Sequence, residues 1–301
     1  MISAETSTRL AESDWLVRRS AHETRVDGWI VGHRQRAARG EKHPVEDFLF
    51  TYYSLRPAWL RRWHPGPGIA LGGGAAREFL RWPEYRETRD GVTLAIDQLS
   101  DKRLAFVRWL SEFLAAQENR PAFFGCYGWH EWAMVYRQTP EQIRHNAQPL
   151  RFPPEEIARI VESGPGCCTH FDAFRFFTEP ARPLNRHQPT RQTAIQLEQR
   201  GCLHANMDLY KWAYKLSPYS PSELVADCFA LARDIREIDM RASPYDLQHF
   251  GYEPIKIETE EGRTEYEQHQ RSFTARSAPL RQKMKTLLEL LSTTAATARE
   301  K

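Results

Sequence analysis

From Thr6 to Arg39 the apolar residues Leu10, Trp15, Leu16, Val26, Trp29 and Ile30 recur among charged ones, with no proline, and the run stops at Gly40. That pattern predicts one long helix or two. A second helix is expected from Pro44, a residue suited to a first helical turn, to Pro57. The stretches His64–Gly68 (HPGPG) and Gly72–Gly74 forbid a regular element and read as loop. Residues 84–97 (EYRETRDGVTLAID) set Asp90 and Gly91 between β-capable segments, which predicts a hairpin. Helical periods then dominate near 100–118, 128–137, 153–163, 190–200, 204–216, 221–240, 262–276 and 279–298, several of them opened by Pro or Ser. Residues 253–258 (EPIKIE) form a second short strand candidate. With no internal repeat and no low-complexity linker, the expectation is a mainly α fold. It is a single compact helical domain over 1–301 with at most a small β-hairpin or sheet, residues 1–20 and 290–301 being peripheral.

Composition narrows the class. A chain of 301 residues can bury a substantial core without disulfide staples, and 41% hydrophobic with 27% charged residues is the balance of a folded protein. No stretch approaches the ~20 apolar residues of a membrane span, and residues 1–20 lack the apolar core of a signal peptide, so a cytoplasmic protein with no membrane partner is expected. The five cysteines are odd in number and without a CxxC pair, which argues for reduced thiols. A net charge of +3 names no polyanionic partner. Arginine nevertheless makes up 34 of the 42 basic residues, a bias that suits bidentate phosphate contacts and equally follows from codon usage.

Candidate chemistry lies in three places. On a helix, His204, Asp208 and Lys211 of the segment Gly201–Trp212 (GCLHANMDLYKW) fall at i, i+4 and i+7 and share a face, either as a convergent base, acid and amine or as a solvated surface pair. In Cys167–Phe177 (CCTHFDAFRFF), His170, Asp172 and Arg175 stand among phenylalanines, as a pocket wall or as a satisfied core segment. The pairs Cys168 with His170 and Cys202 with His204 offer a Cys2His2 metal site in principle, although i and i+2 diverge once the second pair enters a helix. His43 with Glu46 and His130 beside Glu131 add further ligand types. A metal-dependent helical enzyme acting on a small molecule would draw on Glu46, His130, Glu131, His170, Asp172, His204 and Asp208. The third place is the basic and aromatic stretch Tyr52–Gly68. There Tyr52, Tyr53, Arg61, Arg62 and Trp63, extended upstream by Arg34, Arg36, Arg39 and Lys42, read as a nucleic-acid surface or as an aromatic core layer with solvated arginines.

Five segments together carry a resemblance: Glu41–Tyr53, Trp63–Gly68, His170–Phe177, Gly201–Asp208 and Asp239–Leu247. Over about residues 20–280 the chain resembles a family of bacterial proteins labelled 3-methyladenine DNA glycosylase. The resemblance implies a DNA-repair or DNA-processing enzyme that needs no cofactor and whose partner is DNA containing a modified base. Such an N-glycosylase flips the nucleotide, stacks the base on aromatic side chains and lets a carboxylate stabilise the cationic sugar or activate water. In that role Asp208 is the first candidate, with His204 to orient it or protonate the leaving base. His170 and Asp172 stand in reserve, Lys211 is a nucleophile if buried, and Glu131 and Asp239 are further carboxylates. A non-enzymatic nucleic-acid-binding protein is the third reading.

Overall fold

The computed structural model describes residues 8–143 and 147–299, and its chain divides into two compact units. The first comprises Met1–Glu112, Leu209–Ala230 and Pro279–Lys301, the second Phe113–Asp208 and Leu231–Ala278. Each is assembled from separate chain segments, so no linker marks either in the sequence. The fold is mainly α with one small sheet, as the periodicity predicts. No described helix is long and apolar enough to cross a membrane.

In the first unit, β1 (Thr8–Leu10) leads into α1 (Glu12–Ala38), then the short helices α2 (Phe48–Tyr52) and α3 (Pro57–Arg61). After them come β2 (Ile69–Leu71), a 3-10 segment (Gly74–Arg81), β3 (Tyr85–Thr88) and β4 (Gly91–Leu94). The sheet order is β1-β2-β4-β3, with β1 and β2 parallel and the other pairs antiparallel. The expected hairpin is β3–β4. Gly91 turns it with φ +130°, and a Cβ there would meet the Leu71 carbonyl oxygen at 2.3 Å, so the turn requires glycine. β1 and β2 escaped the pattern because three residues are too few to show alternation. The core is aromatic: Trp15 stacks on Trp63 with ring centroids 6.2 Å apart, and Phe79 meets both edge-on. Trp63, expected on a binding surface, is buried and donates its indole N–H to Glu223 at 3.0 Å.

The second unit contains α5 (Trp129–Ala133), α6 (Pro154–Ser163), α7 (Phe171–Phe174) and α8 (Ala194–Leu197). Four longer helices, α4 (Asp101–Asn119), α9 (Leu203–Leu216), α10 (Ser222–Arg241) and α11 (Glu260–Arg299), contribute residues to both units. Residues Thr8–Leu10, expected in a helix, form β1, and the helix expected near 190–200 is the single turn α8; two further differences have a plain physical reason. Residues 253–258 are irregular: Ile255 and Ile257 are buried and the Ile255 N–H donates to the Arg241 carbonyl, which satisfies the segment without a strand partner. The helices expected on either side of Pro279 are one helix, because a proline removes a single backbone donor and packing along the flanking turns offsets that loss. Side-chain amides secure the irregular stretches. Asn185 accepts from the Cys168 N–H at 2.8 Å and donates to its carbonyl at 2.9 Å, and Gln199 holds the backbone of Phe123 in the same two-sided way.

His64 in the first unit gives the fold a specific acid sensitivity. Burial, reinforced by the charges of Arg62, pushes it from 6.5 to about 3, and its Nδ1 lies 3.0 Å from the Tyr85 hydroxyl. Between those pH values the unfolded chain binds a proton that the folded one does not, so stability falls as pH drops through that window. His64→Gln is expected to flatten the decline by up to ~1.4 kcal/mol per pH unit in urea unfolding between pH 6.5 and 4. An unchanged pH dependence would place His64 outside this linkage.

Candidate metal and acid–base centre

The second unit buries a group of ionisable side chains that a surface helix would leave in water. Every residue from Gly201 to Tyr210 is buried, so His204 and Asp208 belong to the interior and are not a solvated face of α9. His130 from α5, His204 from α9 and Asp239 from α10 point at one another, with ligand-type atoms that all lie within 4.8 Å. The rings of His130 and His204 are 4.5 Å apart and nearly perpendicular. His130 Nε2 lies 3.0 Å from Asp239 Oδ1, yet neither atom has a hydrogen-bond partner: the two approach without the alignment a hydrogen bond needs.

The far side of this trio is held firmly. Arg236, itself buried, donates from one nitrogen to Asp239 Oδ2 at 2.9 Å and to Glu131 Oε1 at 3.0 Å. One carboxylate oxygen of Asp239 is thus occupied by a guanidinium while the other faces His130, the arrangement by which outer groups orient a metal-binding carboxylate. Burial works against ionisation of Asp239, but His130, His204 and Arg236 together hold its carboxyl well below the usual range. Burial raises Glu131, against the pull of Arg236. His204 is pushed well below its ordinary value, first by burial and then by the neighbouring His130, which favours its neutral form.

A second His–carboxylate group adjoins the first. His170 Nε2 lies 3.4 Å from Asp208 Oδ2 and 3.6 Å from Glu198 Oε2, and its ring is 5.2 Å from that of His204. Glu198 accepts from Gln117 Nε2 at 3.0 Å. Beside both groups lies a cavity of about 10 Å³, room for about one water, lined by His130, His204 and the thiols of Cys126, Cys167, Cys168 and Cys202. Burial pushes the Cys167 thiol up to about 12 and raises the other three as well. The sulfurs on the cavity wall are therefore neutral thiols, beside the aromatic rings of Phe123 and Trp129. Among the described residues those sulfurs stand outside the ligating trio, so the Cys-x-His pairs do not assemble a Cys2His2 set.

The other sequence candidates are distributed as follows. His130, Glu131, His170, His204 and Asp208 come together with Asp239 and Glu198. Asp172 pairs with Arg175 at 3.2 Å at a partly exposed position on α7. Lys211 belongs to the first unit, where its ammonium lies over the Trp212 and Tyr53 rings. Arg36 pairs with Asp47 and Glu46, Arg39 with Glu41, and Arg61 with Asp27 and Glu23, while Arg34 and Lys42 are exposed. Tyr52 stacks on Phe48 and Tyr53 packs against Tyr210. Glu198 was not foreseen, and Asp239 only as a reserve carboxylate, because 35 residues separate it from His204 and nothing local joins them. Comparison with family models, with curated proteins and with solved structures returned no match.

Removing Arg236 tests whether this network carries structural weight. In chelator, Arg236→Met is expected to cost about 3–5 kcal/mol in urea unfolding, since it leaves two buried carboxyls without their counter-charge. Asp172→Asn, at the partly exposed pair, should cost less than about 1 kcal/mol. Equal small effects would show the buried charges to be compensated from elsewhere.

Proposed function

We propose that the chain is a metal-dependent enzyme in which His130, His204 and Asp239 hold one divalent first-row transition metal. The observation that carries this is the pair of buried, unsatisfied atoms, His130 Nε2 and Asp239 Oδ1, 3.0 Å apart beside the neutral ring of His204. A buried imidazole nitrogen and a buried carboxylate oxygen held 3.0 Å apart, off the alignment of a hydrogen bond, are poorly compensated in a dry interior, and a cation bound by both would supply that compensation. Two imidazoles and one carboxylate suit zinc or iron, whereas magnesium and calcium take oxygen ligands. Three protein ligands leave a coordination position for water or a small reactant, which is the pattern of catalytic sites. The thiol-walled cavity beside His130 and His204 has that size. His170, between Asp208 and Glu198, is the group positioned to accept or return a proton. The substrate in this reading is a small molecule, and only its reacting end enters the cavity.

Base excision from DNA is the second reading. It rests on the sequence resemblance; a nucleobase at Asp208 requires far more room than the cavity offers.

Elemental analysis distinguishes the two. About one zinc or iron per chain is expected after equilibration with either metal, falling at least about tenfold in Asp239→Asn and His204→Ala and unchanged in Asp172→Asn. A parent protein that takes up neither metal, or variants that load like the parent, would refute the assignment. Release of free base from lesion-bearing DNA that persists in chelator and is lost in Asp208→Asn by about 10²–10⁴-fold would put glycosylase chemistry in its place.

A further inference from the structure

The first unit contains a polar cleft of about 370 Å³ whose lining includes Arg19, Arg61, Arg62, Arg81, Glu23 and Glu78. Its charges do not cancel. Arg19 pairs with Glu78, and Arg61 pairs with Glu23 and Asp27, which uses both carboxylates of the cleft. Arg62 and Arg81 are left. Among the described residues neither guanidinium has a carboxylate partner; each instead lies against an aromatic face. The Arg62 carbon is 4.9 Å from the Trp82 ring and 5.3 Å from Trp59, and that of Arg81 is 4.1 Å from Trp82. The aromatic rings fix the two planar cations without neutralising them, so their donors remain available.

Two adjacent guanidiniums repel one another. Burial and the charge of Arg81 both lower Arg62, with no carboxylate acting on it. Holding such a pair together, with Arg62 half-buried and Arg81 exposed, is unfavourable unless an anion of matching charge joins them. Guanidinium forks match phosphate oxygens in a bidentate fashion. A phosphomonoester carries about −1.5 to −2 at pH 7, whereas each phosphodiester of a nucleic-acid strand carries −1. The cleft also has the size of a small-ligand site.

We propose that Arg62 and Arg81 form a binding site for the dianionic phosphate of a small phosphomonoester, with Trp59 and Trp82 holding the two guanidiniums in place. This site is argued from the first unit alone and stands whether or not the second unit binds a metal. It also replaces the binding surface expected from the sequence: of those residues Arg62 has a free guanidinium in the cleft, whereas Arg61 is paired and Trp63 is buried.

Titrations followed by tryptophan fluorescence would use inorganic phosphate, ribose 5-phosphate and a ten-residue oligothymidylate with a 5′-hydroxyl end. Ribose 5-phosphate is expected to bind at least about tenfold more tightly than the oligonucleotide per phosphate, and more weakly below pH 6, where the monoester loses its second charge. Arg62→Gln with Arg81→Gln should weaken ribose 5-phosphate at least about tenfold, and Arg62→Lys with Arg81→Lys should recover part of the loss. Arg77→Gln, which alters an exposed pair with Glu87, should have no effect. Circular dichroism and the urea midpoint check that the variants fold. If the Gln pair unfolds, the Lys pair, which keeps both charges, carries the test through its loss of bidentate affinity. Oligonucleotide binding equal to or tighter than that of the monoester would make the cleft a nucleic-acid site and overturn the proposal. So would parent-like binding in both double variants, or no binding of inorganic phosphate and ribose 5-phosphate at millimolar concentration.

Discussion

The second unit depends on how Asp239 is held. Its carboxylate is almost completely buried, and an isolated buried charge would cost several kcal/mol, so each of its two oxygens must be accounted for. Arg236 accounts for Oδ2 and, through the same nitrogen, for Glu131. Oδ1 is different. It faces His130 Nε2 at 3.0 Å without a hydrogen bond, and the neutral His204 ring completes the group. A satisfied core histidine donates or accepts somewhere, as His22 in the first unit does against the Leu60 carbonyl at 2.9 Å. A metal ion bound by His130 and Asp239, as proposed, would give both atoms a partner.

The surrounding chemistry fits that requirement. Four buried carboxyls, Glu131, Glu198, Asp208 and Asp239, share a small volume with Arg236 and three histidines. Protons on the histidines would balance some of that charge, but burial drives His204 toward its neutral form. In the proposed reading a metal ion would restore the balance while using the imidazoles as neutral donors. The neutral thiols around the adjoining cavity keep it weakly polar, which strengthens every electrostatic interaction inside it. Asn185 and Gln199 secure the backbone of Cys168 and Phe123, two residues of that cavity wall, so the wall is built on irregular chain that nevertheless has its polar groups satisfied.

Much of this was readable from local pattern. The long helices follow from apolar spacing, and the β3–β4 turn from Asp90 and Gly91, because these are properties of neighbouring residues. His130, His170, His204 and Asp208 were legible as candidates since polar groups inside apolar runs demand a reason. What the sequence withheld is nonlocal. Whether His204 and Asp208 face water or the interior depends on what packs over α9, and the helical spacing is the same in either case. The pairing of Thr8 with Ile69 spans 61 residues, and the approach of Asp239 to His130 is set by α10 and α5 meeting across more than a hundred. The same limit separated Arg61 from Arg62. They are adjacent in sequence and alike in type, yet one is neutralised by Asp27 on α1 and the other is held between two indoles.

X-ray absorption at the metal edge tests the central claim most directly, because it reads the ligand atoms themselves. Protein equilibrated with zinc should show nitrogen and oxygen scatterers at about 2.0–2.2 Å, with the outer-shell pattern of two imidazoles and no sulfur. A shell near 2.3 Å would mean that the thiols of the cavity hold the metal, and the absence of any bound-metal signal would mean that His130, His204 and Asp239 are a purely structural cluster. Either result would contradict the account.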